Sequence, residues 1–276
     1  LQWRYVSAPD AVANSDVENQ WQPEDVSYCG TSEECPFGDF CMTSLFRFKQ
    51  FTVQQDRCAM KVGTDGIMLG AWANADRPQR ILDIGSGTGL IALMLAQRFP
   101  DARIDAVEIE KGAAKQAQGN VARSLWEHRI NVQHLDIEQF QPPCRYDLVV
   151  SNPPYFADSL KGPDIARNMA RHADSLSAMH LLESVDRLLN SSGTFCVILP
   201  IADGTSLLVS AAEHQLHCQS ICEVRPNVGK TAHRWLISFT RSEVDVVARS
   251  SLIVEAGRHN YSDEYRTLTR EFYLKH

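Results

Sequence analysis

The sequence predicts an α/β fold: a mostly parallel, seven-stranded sheet with helices on both faces and a C-terminal antiparallel hairpin. Three observations carry this. Between residues 80 and 199, five short apolar runs alternate with segments of helical spacing, and such alternation implies a parallel sheet. The first of those runs opens into a glycine-rich turn, "DIGSGTG". After Pro200 the alternation stops, and two strand-like runs are joined by the polar loop "RPNVGKTAH", the pattern of a hairpin.

Residues 1–44 precede this region and show no sustained helical or strand period. They hold one basic residue, Arg4, against eight acids, so the net charge of −7 resides there and residues 45–276 are balanced. Such a segment reads as a disordered acidic extension, with residues 45–276 as the folded domain; Met42 stands just before the first folded pattern. Cys29, Cys35 and Cys41 have five residues between neighbours. Zinc ligands pair at two to four, and no His lies in this segment, so no metal site is expected. The opening "LQWRYVSAPD" lacks the basic-then-apolar order of a signal peptide. No apolar run approaches the ~20 residues of a membrane helix. A cytoplasmic protein is expected.

"FRFKQFTVQ" (46–54) alternates like a short strand, and "GTDGIMLGAWAN" (63–74) reads as a loop feeding a helix. Strands are then predicted at Arg80–Ile84, Ile104–Ile109, Asn131–Leu135, Asp147–Ser151 and Thr194–Leu199. Helices are predicted at Leu90–Arg98, Gly112–Ser124 and Ser175–Asn190; in the last, Leu176, Met179, Leu182, Val185 and Leu189 keep one face apolar. The hairpin comprises His217–Val224 and Arg234–Thr240.

Gly85, Gly87 and Gly89 allow a sharp turn and close approach of a ligand. The spacing brings the third glycine one residue early for a dinucleotide turn, and Asp83 would add negative charge where a pyrophosphate must sit. A cationic ligand such as S-adenosylmethionine suits the site better. Glu108, ending the second strand, can accept ribose hydroxyls; Asp136 can accept from an adenine amine, with Ile137 against the ring. Ligands of open parallel sheets bind beyond the strand ends, which sets "SNPPYF" (151–156), at the fourth strand's end, beside the glycine turn. An amine conjugated to a ring is a poor nucleophile. The Asn152 carboxamide oxygen and the Pro153 carbonyl can each accept one of its N–H groups and aim its lone pair, Pro153 and Pro154 stiffen the turn, and Tyr155 offers a stacking face, with Phe156 lining the same pocket.

Asn-Pro-Pro-Tyr after a fourth strand, downstream of D-x-G-x-G-x-G, resembles the amino-methylating class I methyltransferases, which have a Rossmann-like fold. Residues 46–73 and 260–274 are similar to the two ends of the bacterial valine tRNA adenine-37 N6-methyltransferases. The resemblance spans about residues 46–276. It implies S-adenosylmethionine as cofactor, with Asp83, Gly85, Ser86, Gly87 and Gly89 around its methionine part, Glu108 on the ribose, and Asp136 with Ile137 on the adenine. Lys61, Thr64, Asp65 and Gly66 would close that pocket, with Asn152 at its reactive end. Asn152, Pro153 and Tyr155 would hold the target adenine. Arg167, Arg171, Lys230, His233 and Arg234, and in the tail Arg258, Arg266, Arg270 and Lys275, are candidate phosphate contacts. The expected partner is tRNA, valine tRNA in particular, with a monomer assumed. Three alternatives stay open: another methyl acceptor (a glutamine side chain, or an adenine of rRNA or DNA), a non-catalytic RNA-binding protein, and a nicotinamide oxidoreductase.

Overall fold

The computed structural model describes residues 45–58, 61–154, 177–258 and 260–274. These belong to one compact unit. The domain expectation for residues 1–44 lies outside them, as do Tyr155, Phe156, Arg167, Arg171 and Lys275.

The predicted strand and helix alternation is present. The parallel strands are β3 (Arg80–Ile84), β4 (Arg103–Glu108), β5 (Ile130–His134), β6 (Tyr146–Ser151) and β7 (Leu189–Pro200). Strands β8 (His217–Asn227) and β9 (Arg234–Thr240) form the expected hairpin, β9 running antiparallel to both β7 and β8. Two strands beyond the expected seven extend that edge. These are β10 (Ala248–Gly257), parallel to β8, and the short β11 (Asn260–Tyr261). The sheet order is β5-β4-β3-β6-β7-β9-β8-β10-β11.

Successive side chains of a strand face opposite sides of the sheet, and the core follows this. Ile81, Leu148, Val150, Ile198 and Leu236 face one apolar layer, while Leu82, Val149, Val197, Leu199 and Ile237 face the other. The first layer is covered by α1 (Thr64–Trp72), α2 (Leu90–Arg98), α3 (Lys111–Ala122) and the C-terminal α6 (Asp263–Thr269). The second is covered by α4 (Ala178–Leu188) and α5 (Ile201–Ala211). Helix α2 buries every residue from Leu90 to Ala96, because α1 crosses it closely. That crossing needs Gly70, where a Cβ would stand 2.7 Å from the Met94 sulfur. Arg98 then donates to the Gly70 and Ala73 carbonyls that close α1, satisfying acceptors that a helix end leaves open.

The predicted strand at 46–54 is two short strands, β1 (Leu45–Arg47) and β2 (Thr52–Gln54), paired antiparallel. Their turn buries Phe48 and Phe51, and Phe48 lies near Tyr273 of the C-terminal segment. The Lys49 N–H donates to the Phe272 carbonyl at 2.8 Å. The stretches of sequence that resemble the two ends of the family therefore meet in space.

Side-chain amides of α3 fix the strand-to-helix connection. Asn120 accepts from the Gln54 N–H and donates to the Gln54 and Thr88 carbonyls, each at 2.9 Å. Gln116 accepts from the Arg57 N–H and donates to Asp56. This holds residues 54–58 over the glycine turn. No helix among the described residues is long and apolar enough to cross a membrane.

Candidate functional site

The strand ends of β3, β4, β5 and β6 lie side by side, with Ile84 opposite Val107 and Ser151, and Glu108 opposite His134. The turn after β3 has positive φ at Gly85, Gly87 and Gly89, at 71°, 54° and 79°. Two of these show why glycine is needed. At Gly89 a Cβ would lie 3.2 Å from that of Ala117, so α3 packs directly on the turn. At Gly85 a Cβ would meet nothing within 4 Å, so this backbone borders open space that a ligand can enter.

Asp83 lies beneath the turn and is fully buried. Its Oδ2 accepts from the Ala92 N–H at 3.1 Å, inside the first turn of α2, while Oδ1 has no partner. Burial pushes its carboxyl up to about 7; the Ala92 bond pulls against this, and the charge of Glu108 adds to it. The Ser86 hydroxyl is also buried and unpartnered. Glu108, 8% exposed, accepts from the Gly87 N–H at 2.7 Å and the Glu110 N–H at 2.9 Å. It thus ties the glycine turn to the end of β4.

Asp136 caps a short turn of 3₁₀ helix by accepting from the Glu138 N–H at 3.0 Å. Ile137 is buried in the second apolar layer.

Ser151 closes the floor, donating its hydroxyl to the Ile84 carbonyl at 3.0 Å. That bond clips the end of β6 to the start of the glycine turn. Sequence reasoning passed over it, although Ser151 stands in the quoted motif. Asn152 follows, half-buried, with Pro153 buried and Pro154 exposed. Its amide nitrogen faces the first turn of α1: a Cβ on Gly66 would lie 3.9 Å from Nδ2 and 3.3 Å from Leu90.

Lys61 and Thr64 are exposed. Asp65 accepts from Arg234 Nε at 2.9 Å, both side chains about four-fifths buried. The two were expected on cofactor and phosphate respectively, and the structure joins them. The Cys58 sulfur lies 3.7 Å from where a Cβ of Gly87 would stand. Lys230 and His233 are exposed on the β8–β9 loop. Since β9 begins opposite the end of β7, this loop projects from the same edge as Asn152.

An acid with a free buried oxygen, a backbone open at Gly85 and a second carboxylate at the next strand end form a donor set for a cationic nucleoside. S-adenosylmethionine fits it: the ammonium and sulfonium suit Asp83, and the vicinal hydroxyls suit Glu108. No cluster of His, Cys, Asp and Glu among the described residues is arranged to hold a metal.

Comparison with known proteins follows the same line. Residues 63–178 match the family model of the methyltransferase small domain. A tRNA1(Val) (adenine(37)-N6)-methyltransferase of Bacteroides thetaiotaomicron is 51% identical over 231 residues, covering 83% of this chain and 97% of that protein. The enzyme of the same name from Aeromonas hydrophila is 46% identical over 233 residues, covering 84% and 98%. Among solved structures, a predicted O-methyltransferase from Agrobacterium tumefaciens superposes with a TM-score of 0.58 at 19% identity, covering 75% of this chain and 96% of that one. That likeness concerns the fold.

Proposed function

Since the chain belongs to the tRNA1(Val) (adenine(37)-N6)-methyltransferase family, we propose that it methylates the N6 amine of adenine 37 in valine tRNA. The observation that carries the reading is the juxtaposition of Asn152 with the glycine turn, through Ser151 on Ile84 and Gly66 beside the amide. The cofactor is S-adenosylmethionine, which when bound would supply the electrophilic methyl carbon and keep the C–S electron pair on sulfur.

The chain's own residues do the rest. The Asn152 oxygen and the Pro153 carbonyl accept the two N–H groups of the adenine amine. This localises the nitrogen lone pair, which the ring otherwise delocalises, and directs it at the methyl carbon. The surplus proton of the amine would leave to water, so no general base is required. Asp83 and Glu108 hold the cofactor, and Tyr155 stacks on the extruded base. Lys230, His233 and Arg258, exposed cation-bearing or titratable residues at the strand-end edge, take the phosphates. A tRNA substrate places the reaction in the cytoplasm.

Asn152→Ala is expected to reduce single-turnover methylation of valine tRNA at least about a hundredfold, with cofactor affinity within about twofold. Asn152→Asp is milder, because a carboxylate still accepts the N–H. Mass spectrometry of the product nucleosides locates the methyl group. Near-normal turnover in Asn152→Ala would remove the amine-holding role, and a methyl group on another nucleotide would change the substrate.

A further inference from the structure

The ion pair between Asp65 and Arg234 joins two parts of the site that are 169 residues apart in sequence. Asp65 is in the first turn of α1; Arg234 opens β9, two strands from β6 and so about 10 Å from the strand that leads into Asn152. Its Nε–Oδ2 distance is 2.9 Å, with side chains 18% and 23% exposed, a setting in which solvent screens a charge pair far less than on an open surface.

What the pair restrains is specific. Gly66, the next residue, faces the Asn152 amide, since a Cβ there would lie 3.9 Å from Nδ2. The start of α1 has no side-chain cap of its own, its N-cap being Gly63, so the ion pair adds a side-chain anchor that the cap does not supply. A displacement of that turn changes the space beside the Asn152 nitrogen. The orientation of this amide decides whether its oxygen or its nitrogen meets the incoming amine.

We propose that Asp65 and Arg234 are positioning residues: their pair fixes the first turn of α1 against Asn152 and thereby orients the amide for the target amine. Neither residue touches substrate or cofactor in this role. The proposal rests on the methyl-transfer reading of Asn152, and its test keeps the two apart.

Asp65→Asn and Arg234→Gln should each slow single-turnover methylation about ten- to a hundredfold, the cost of a small misplacement of a reacting group. Dissociation constants for S-adenosylmethionine and for tRNA should stay within about twofold. Because the two side chains are in contact, the double variant should cost less than the sum of the two single ones, and Arg234→Lys should retain more rate than Arg234→Gln. Independently of activity, the Asn152 side-chain amide resonance in ligand-free protein, assigned by its loss in Asn152→Asp, should move alike in both variants. If the wild-type protein transfers no methyl group, the functional reading falls, while the resonance still decides the pair. An unmoved resonance overturns the proposal. So does cofactor affinity falling with Asp65→Asn, or tRNA affinity falling with Arg234→Gln alone. If Arg234→Gln does not fold, Arg234→Lys and Asp65→Asn carry the same comparison.

Discussion

The carboxyl group at position 83 is fully buried, with one backbone N–H donating to it, and this burial pushes its pKa up to about 7. The sign of the consequence follows from proton counting. Between the ordinary aspartate value and 7 the folded chain holds a proton that the unfolded chain has lost, so this residue's contribution to stability falls as pH rises through that window. Asp83→Asn, which can still accept from Ala92, is expected to gain stability relative to wild type from pH 5 to 8, read from denaturant midpoints. A cationic ligand favours the ionised form, so binding should expel a proton. Affinity for S-adenosylmethionine should rise about tenfold from pH 6 to 8. Calorimetry in two buffers of different ionisation heat would measure the released proton; uptake, or none, would place the cation away from Asp83. The identity of this residue was legible in sequence because an acid before a glycine turn argues against phosphate. Its partnership with Ala92 was not legible, because that contact depends on the angle at which α2 leaves the turn. The same holds for Asp65 and Arg234: each type suggested a ligand, and only tertiary contact reveals that they meet each other.

At the scale of elements, sequence punctuation was most informative where a run is bracketed on both sides. Arg80–Ile84, Leu90–Arg98 and Arg234–Thr240 occur with the bounds read from the sequence, because turn residues end each pattern. The helix predicted to reach Asn190 instead ends at Leu188, and β7 begins at Leu189, opposite Tyr146; pairing with β6 outweighs the helical spacing there. Helix α5 was missed because Gly204 and Thr205 lower its propensity, yet Gly204 is needed, since a Cβ there would stand 3.1 Å from the Trp235 ring. Strand β10 was missed because it opens with four exposed residues, "ARSS", and its partner β8 lies across a loop and β9. The clamp on β2 gives a test at this scale. Asn120 is 1% exposed and serves three backbone groups. Asn120→Leu leaves these unpaired, at about 1–3 kcal/mol for a buried group, so a total loss of about 2–4 kcal/mol is expected after partial exposure to water. Because residues 54–58 lie over the glycine turn, cofactor affinity should fall with stability, and proteolysis should begin near residues 55–62. A stability loss with unchanged affinity would show that this segment does not wall the cofactor.

For the whole molecule, charge is divided between segments. Residues 45–276 are balanced and residues 1–44 carry the net −7, so any attraction for a polyanion is local to the strand-end edge, where Arg225, Lys230 and Arg258 are exposed. The curated relatives are matched over 97–98% of their length by some 83–84% of this chain, which leaves room for a segment outside the family domain. Residues 1–44, with no apolar period to build a core, are read as an acidic appendage to that domain. An acidic appendage repels tRNA over the range that salt permits, with a Debye length of ~10 Å at 0.1 M. Deleting residues 1–44 should therefore leave the melting temperature and cofactor affinity unchanged. It should tighten tRNA binding about three- to tenfold at ~50 mM salt and leave it equal at ~300 mM, where both the repulsion and the phosphate contacts are weakened. Binding isotherms at the two salt concentrations, with the melting temperature measured alongside, separate the possibilities. A fall in melting temperature would assign the segment to the fold, and weaker tRNA binding at either salt concentration would assign it to the RNA site.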